Sequence, residues 1–446
     1  MYNKNKNNLL GIDTPLIYFF ISKFFSLIAA PVSIFLISQK LDSNEQGYYF
    51  TFSSLLGISV FFELGLGVVI TQFTSHEFGK LNWTPARDLI GDETAKHRIL
   101  GLIKKSLFWY VVMASIMAII IIPIGLFTLN KNISNSHINY ILPWILLILS
   151  FSFNTALIPL IAFLEGCNKV AEVQKLRIIQ TVLILPITWL ILFFNGKLFV
   201  FFFEYTGYLL VVSIWIFTRY RLILYQIFNI KHLQDISISW KEEIFPMQWK
   251  IALSWLSAYF INYMFVPLLF HYNSSEIAGK MGMSLKITGY VYIFSMAWIN
   301  TKSPQYGGLI GNNQKDKLKN IFKKATLNAL IVAVLISLAL IVGLYLYKQY
   351  KPSFSERILP ISLIILLCFA NIINIFNSSI ASYLRAYKKE PLLYVSLIMA
   401  FLIATSNLVS AKLFDVNIMI LNYVIILFIY GIGSHLYIFN KNEISK

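Results

Sequence analysis

The sequence predicts an all-α polytopic membrane protein of about twelve transmembrane helices, in two pseudo-symmetric six-helix bundles around a central cavity. Three observations predict this class. The residues are 57% hydrophobic and 13% charged, with a mean hydropathy of +0.68, where a soluble chain of 446 residues would need far more polar surface. Apolar runs of about 20 residues, the length that crosses a hydrocarbon core, recur along the whole chain. The polar exit of one run, Ser75-His76-Glu77-Phe78-Gly79-Lys80-Leu81, is echoed by Ser303-Pro304-Gln305-Tyr306-Gly307-Gly308-Leu309, which is self-similarity at half the chain length.

Taken in order, the spans fall at 14–37, 47–73, 106–128, 139–163, 178–195, 198–218, 250–271, 279–301, 325–347, 358–383, 392–411 and 417–438. Lys4 and Lys6 precede the first span as they would in a signal peptide. That run is too long, and Pro31 follows Ala29-Ala30 where cleavage would come, so it reads as a mature helix. The second span holds a single acid, Glu63, before the close glycines of Leu64-Gly65-Leu66-Gly67. Only Asn195-Gly196-Lys197 separates the fifth from the sixth. Prolines within spans, such as Pro123, Pro186 and Pro267, bend a membrane helix and free a carbonyl. They fit static kinks and flexing bundles alike.

Lysine and arginine set the orientation. With a cytoplasmic N-terminus, and with Lys250 and Lys280 at their span ends counted with the adjoining loops, 27 of the 37 Lys and Arg residues lie inside, 8 outside and 2 within spans, which favours both termini in the cytoplasm. The external loops are short, and the longest segments between spans are internal: 74–105, 219–249 and 302–324. In 219–249, Ile236, Ile238, Trp240, Ile244 and Phe245 mix with Lys241, Glu242 and Glu243, which suggests a helix at the membrane interface. The expected organisation is therefore an N-terminal bundle over 1–218, a connector over 219–249 and a C-terminal bundle over 250–446. Further anchors support the repeat: Ser54-Leu55 with Ser284-Leu285, Ile103-Lys104-Lys105 with Phe322-Lys323-Lys324, and Leu164–Lys169 with Leu384–Lys389. Six spans per half give the halves the same orientation, related by an axis along the membrane normal, with the space between them as the natural substrate path.

Four charged residues fall inside spans, away from their ends. Lys23 lies about nine residues into the first, roughly 13 Å deep at 1.5 Å per residue, and Glu63 sits at similar depth in the second. Glu204 and Lys286 lie nearer the outer face. A charge at depth costs roughly 2.5–3.5 kcal/mol unless it is paired or hydrated. Two arrangements meet that cost. In one, Lys23 pairs with Glu63 as a structural ion pair and Glu204 snorkels to the interface. In the other, the lysines draw an anionic substrate group into a hydrated cavity, and Glu63 tunes them or carries a proton.

Other classes lack their residues. The net charge of +17 sits in short segments between spans, the pattern of topology and not of nucleic-acid binding. Cys167 and Cys368 lie at the end of one apolar run and within another, giving neither a disulfide framework nor a Cys metal site. The six histidines show no ligand spacing, and no phosphate-binding Gly loop or nucleophile elbow is present. No catalytic residue, cofactor or metal is therefore expected. Asp42 and Glu45 form an acidic pair in a loop too small for a catalytic site.

Gly47-Tyr48-Tyr49, the Glu63-Leu64-Gly65-Leu66-Gly67 run, the Ser75–Leu81 exit and Leu164-Glu165-Gly166 resemble the polysaccharide flippases of bacterial O-antigen and capsule gene clusters. These belong to the multidrug/oligosaccharidyl-lipid/polysaccharide exporter superfamily. The resemblance covers the whole chain in topology and is strongest over residues 40–80. It implies alternating access in the cytoplasmic membrane and a substrate of undecaprenyl diphosphate carrying a sugar repeat unit, moved from the inner to the outer leaflet. It also implies a polysaccharide polymerase and a chain-length regulator as partners. Family members often place cations in the cavity to meet the diphosphate or acidic sugars, and Lys23 and Lys286 are the positions here that could do so. The chain has no intramembrane Arg of the kind many relatives carry. The alternatives are another exporter of the superfamily, for a peptidoglycan or teichoic acid precursor or a drug, and a membrane glycosyl polymerase or ligase. The last would need a sizeable external catalytic loop.

Overall fold

The computed structural model describes residues 25, 29–130, 138–229, 239–311, 314–387 and 391–444. The described residues are almost wholly helical, as a bilayer demands of a backbone that must satisfy its own polar groups. Eight described helices are long and apolar enough to cross a membrane, and up to ten if each of two bent pairs counts as one span. These ten match the expected spans two to seven and nine to twelve. Helix α13 (Ser275–Gly311, 37 residues) occupies the eighth. Of the first, helix α1 (29–40) is the described end. Phe108, Ile119 and Phe127 on α5 (Glu93–Leu129) are 72–75% exposed, an outward face suited to hydrocarbon. The protein is thus an all-α multi-pass membrane protein.

The chain forms two compact units. One comprises Met1–Leu41, Ser59–Leu126 and Asn139–Ala252, the other Asp42–Ile58, Phe127–Ile138 and Leu253–Lys446. The first bent pair therefore starts in one unit, as α2 (Ser43–Leu56), and ends in the other, as α3 (Val60–Glu63) and α4 (Leu66–Phe78). Its bend is 49°. The cause is local: Leu64 (φ 48°) and Gly65 (φ 66°) are both left-handed, which no α-helix continues through. At the repeat offset that pairs Ser54 with Ser284, the same two positions in α13 are Phe294 and Ser295, and α13 runs on unbroken. The pseudo-symmetry is broken at the glycine.

In the first unit the internal segment 74–105 is more than a loop. Leu81–Trp83 (β1) and Leu89–Gly91 (β2) pair antiparallel, Leu81 opposite Gly91 and Trp83 opposite Leu89. The turn is closed by Thr84 N–H donating to Asp88 O (2.8 Å) and Asp88 N–H donating to Thr84 Oγ1 (3.0 Å). Leu81 and Leu89 are buried in one cluster with Ile99, Ile103, Ile223 and Ile227. Asp92 then caps α5, its Oδ1 accepting from Thr94 N–H (2.7 Å) and Ala95 N–H (3.1 Å). The bonds from Ala95 and Thr94 hold this carboxyl below the usual carboxylate range.

The hairpin is tied to the ends of α8 (Val170–Phe193) and α9 (Val200–Arg219) through Glu172. Its carboxylate meets Lys169 Nζ at 2.9 Å, Arg87 Nη2 at 3.3 Å and Arg219 Nη1 at 4.0 Å, and accepts from the Tyr220 hydroxyl at 2.9 Å. Trp83 Nε1–H donates to Cys167 O (2.8 Å). Cys167 and Cys368 are both free and buried. The short Asn195-Gly196-Lys197 turn uses left-handed Asn195 (φ 59°) and Lys197 (φ 46°). Of the connector, α10 (Arg221–Asn229) is helical, and a π-helical turn, Trp240–Ile244, leads into α11 (Phe245–Asn262). The first residues of the expected interfacial helix, Ile236 and Ile238, lie outside the described residues.

In the second unit α13 is the centre. It packs on α2, on α12 (Phe265–Tyr272), on α14 (Lys315–Tyr350) and on α16 (Ile361–Arg385). Ser284 Oγ accepts from Leu359 N–H (2.9 Å), Asn371 Nδ2–H donates to Thr288 O (3.3 Å), and Tyr292 bonds Ser378 (3.0 Å). α17 (Leu393–Leu413), α18 (Val416–Ile426), the π-helical segment Leu427–Ile432 and α19 (Gly433–Ile444) complete the unit.

Candidate functional site

The residues that carry the sequence resemblance are contact residues. In the second unit Gly47 on α2 faces α13, where a Cβ would stand 2.6 Å from the Ser275 carbonyl carbon. Opposite it, a Cβ on Gly279 would stand 2.9 Å from Gly47 N. Small residues on both helices let the backbones approach closely, as membrane helix pairs require. Polar side chains then close the contact. Gln46 Nε2–H donates to Gly279 O (3.0 Å) and Arg357 O (2.8 Å), and Ser275 Oγ–H donates to Asn44 Oδ1 (2.7 Å). The Tyr48 ring meets Phe270 edge-on at 4.8 Å.

This packing brings the next residues of α2 under Lys286. Its Nζ lies 5.7 Å from the Tyr49 ring centroid and 5.9 Å from that of Phe50, within the range of cation–π attraction. Lys286 is half-buried, on a helix whose hydroxyl neighbours Ser284 and Thr288 are buried. A cation held against two aromatic faces within a membrane helix can attract an anionic group while the rings offer flat apolar surface.

In the first unit Gly166 meets α4 just past the Leu64–Gly67 run. A Cβ on Gly166, at the end of α7 (Ile158–Gly166), would stand 2.7 Å from Thr71 O and from Thr74 Cβ on α4. Thr71 Oγ1–H also donates to Ala162 O (3.2 Å). Glu63 is the last residue of α3, half-buried, directly before the left-handed break. Tyr110 lies near this break, its hydroxyl 3.7 Å from where a Cβ on Gly67 would be. The exit after α4 is fixed by Glu77, whose Oε1 accepts from Arg98 Nε at 3.0 Å.

Three of the four charges picked from the sequence lie among the described residues. Glu63 stands at a helix break of the first unit and Lys286 over an aromatic pair of the second. Glu204 accepts from the Tyr208 hydroxyl (3.3 Å) one turn along α9. Lys23 lies outside the described residues. Sequence reasoning named Tyr49 only within the Gly47-Tyr48-Tyr49 resemblance, not as a site residue, and passed over Phe50. It also passed over a polar seam on α16, where Asn374 Nδ2–H donates to the Tyr423 hydroxyl (3.1 Å). Asn377, 5% exposed, pairs neither amide atom among the described residues. Three asparagines at i, i+3 and i+6 were the clue.

No protein-family model matches the chain, and no curated protein matches it in sequence. Solved structures do match. An inward-facing multidrug resistance MATE family transporter of the MOP superfamily aligns with TM-score 0.65 and 14% identity, over 94% of this chain and 93% of that one. The lipid II flippase MurJ, in an inward closed conformation, aligns with TM-score 0.67 and 14% identity, over 96% and 87%. A MOP superfamily transporter from Pyrococcus furiosus aligns with TM-score 0.56 and 15% identity, over 97% and 96%. The chain therefore has the fold of these MOP superfamily transporters along nearly its whole length.

Proposed function

We propose that the protein is a flippase for an undecaprenyl-diphosphate-linked oligosaccharide repeat unit of O-antigen or capsule type. It works in the bacterial cytoplasmic membrane with both termini cytoplasmic, moving its substrate from the inner to the outer leaflet by alternating access of the 1–218 and 250–446 bundles. The observation that carries this reading is Lys286 over Tyr49 and Phe50. The ammonium supplies charge for a diphosphate, and aromatic faces suit sugar rings and isoprenoid chains. The shared fold with a lipid II flippase supports a lipid-linked substrate. Lys23 is a second candidate cation, and Glu63 and Glu204 are candidate tuning or proton-carrying acids.

A second reading, export of a cationic drug, is favoured by Glu63, a membrane acid beside a helix break. One experiment separates the two. Purified protein in vesicles is given a fluorescent undecaprenyl-diphosphate glycan on one side, and its appearance on the other is followed by reagent quenching. Flipping that is lost with Lys286→Ala supports the flippase. No flipping, together with uptake of a cationic dye lost with Glu63→Gln, supports the drug exporter.

A further inference from the structure

We infer that α10 (Arg221–Asn229) is a membrane-surface anchor whose exposed face docks on a headgroup layer containing anionic phospholipid. This helix follows directly on the span α9, and its two faces are both apolar. One is packed within the protein: Ile223 is 2% and Ile227 0% exposed, in the cluster that holds the hairpin. Gln226 Nε2–H donates to Asp88 Oδ1 (2.5 Å), and Lys104 Nζ donates to Phe228 O (3.2 Å) at the helix end. The helix is therefore fixed in rotation. The other face presents Leu222, Tyr225 and Phe228, at 42%, 68% and 63% exposure.

Two observations identify what covers that face. The first is continuity. Leu210, Ile214 and Phe217 form an exposed apolar stripe on α9, where the span meets hydrocarbon, and the same exposure resumes at Leu222 just past the span's end. The second is charge. Exposed Arg219 and Arg221 stand at the start of the helix, and exposed Lys105 follows Lys104, the residue that meets its end. Apolar and aromatic side chains edged by cations are the composition of an interfacial helix, with tyrosine suited to headgroup depth. Juxtamembrane cations add attraction to anionic lipid.

The test uses full-length protein with Cys167→Ser and Cys368→Ser, carrying Tyr225→Cys or Phe228→Cys labelled with a nitrobenzoxadiazole dye. Ala86→Cys, at the hairpin turn, is the reference position. The proteins are placed in phosphatidylcholine vesicles containing spin-labelled phosphatidylcholine or spin-labelled phosphatidylglycerol. Labels at 225 and 228, but not at 86, should be quenched, and at least about twofold more by the anionic lipid, a preference that Arg219→Gln with Arg221→Gln removes. In the protein with all native residues, hydroxyl-radical oxidation in the same vesicles should spare Tyr225 and Phe228. Unquenched labels with oxidised Tyr225 and Phe228 would overturn the anchor. Equal quenching by the two lipids would overturn its selectivity.

Discussion

Gly47 lies so close to Ser275 that any side chain on it would enter the Ser275 backbone, with a Cβ 2.6 Å from the carbonyl carbon. Backbone cannot yield as a flexible side chain can, so Gly47→Ala should separate α2 from α13 and destabilise the second unit by about 1–3 kcal/mol, the usual cost of overpacking. Gly289, on the same helix α13, has open space where its Cβ would be. Gly289→Ala should be neutral or stabilising by about 0.4–1 kcal/mol. Thermal unfolding of the two purified variants checks both; equal midpoints would show that the α2–α13 contact is loose.

That contact also shows how much could be read in advance. The spans were legible because hydropathy over about 20 residues is decided by the bilayer, whatever the tertiary structure. The glycine motifs were legible as motifs, and Gly47 and Gly166 prove to be places of close backbone approach, while Gly67 meets only the side chains of Ile158 and Tyr110. The hairpin was not legible: three-residue strands carry too little alternation to register, and their stability comes from Leu81 and Leu89 entering a core built by distant helices. Nor was the break in the second span. Gly65 permits a left-handed residue, but Leu64 adopts one too, and only the packed context decides that. Among the candidate site residues, Lys286 was visible as a charge out of place. Its aromatic partners were hidden, because Tyr and Phe within a span look like any other membrane residue.

Glu172 should govern how firmly the hairpin is held. It gathers Arg87, Lys169, Arg219 and the Tyr220 hydroxyl, and it is about a quarter exposed (26%), so each ion pair is partly screened. Glu172→Gln should weaken the attachment by about 1 kcal/mol and leave the cations to repel one another. Limited trypsin digestion at Arg87, in the hairpin turn, should then be several-fold faster than in the parent protein. Unchanged cleavage would mean that the buried leucines alone hold the hairpin.

The orientation derived from the Lys and Arg distribution makes opposite demands on two positions between spans. Lys351→Cys, after α14, should react with a membrane-impermeant thiol reagent added to intact cells. Ala86→Cys should react only after the cells are opened, and a reporter fused after Lys446 should behave as cytoplasmic. Labelling of Ala86→Cys from outside would invert the assignment and move Lys286 to the other side of the membrane's midplane.

Lys286 gives the most direct test of the proposed substrate. In the structure its ammonium faces Tyr49 and Phe50, a setting that a neutral side chain of similar size would fill without charge. If the ammonium meets a diphosphate, Lys286→Met should keep the protein's level and melting temperature but lower transport of a lipid-linked diphosphate glycan by tenfold or more, since charge-assisted hydrogen bonds contribute about 1.5–3 kcal/mol each. Lys286→Arg should retain more activity, because positive charge is the property required, though its planar fork will not seat on the rings in the same way. Tyr49→Ala with Lys286 intact should weaken binding less than the loss of the charge, because one half-buried cation–π contact contributes about 0.5–2 kcal/mol and Phe50 remains. A structural lysine gives the reverse pattern: Lys286→Met protein would fall in level or melt lower, while what remained would transport at the parental rate per molecule. Transport per molecule, measured beside the melting temperature, therefore decides whether Lys286 serves the substrate or the fold.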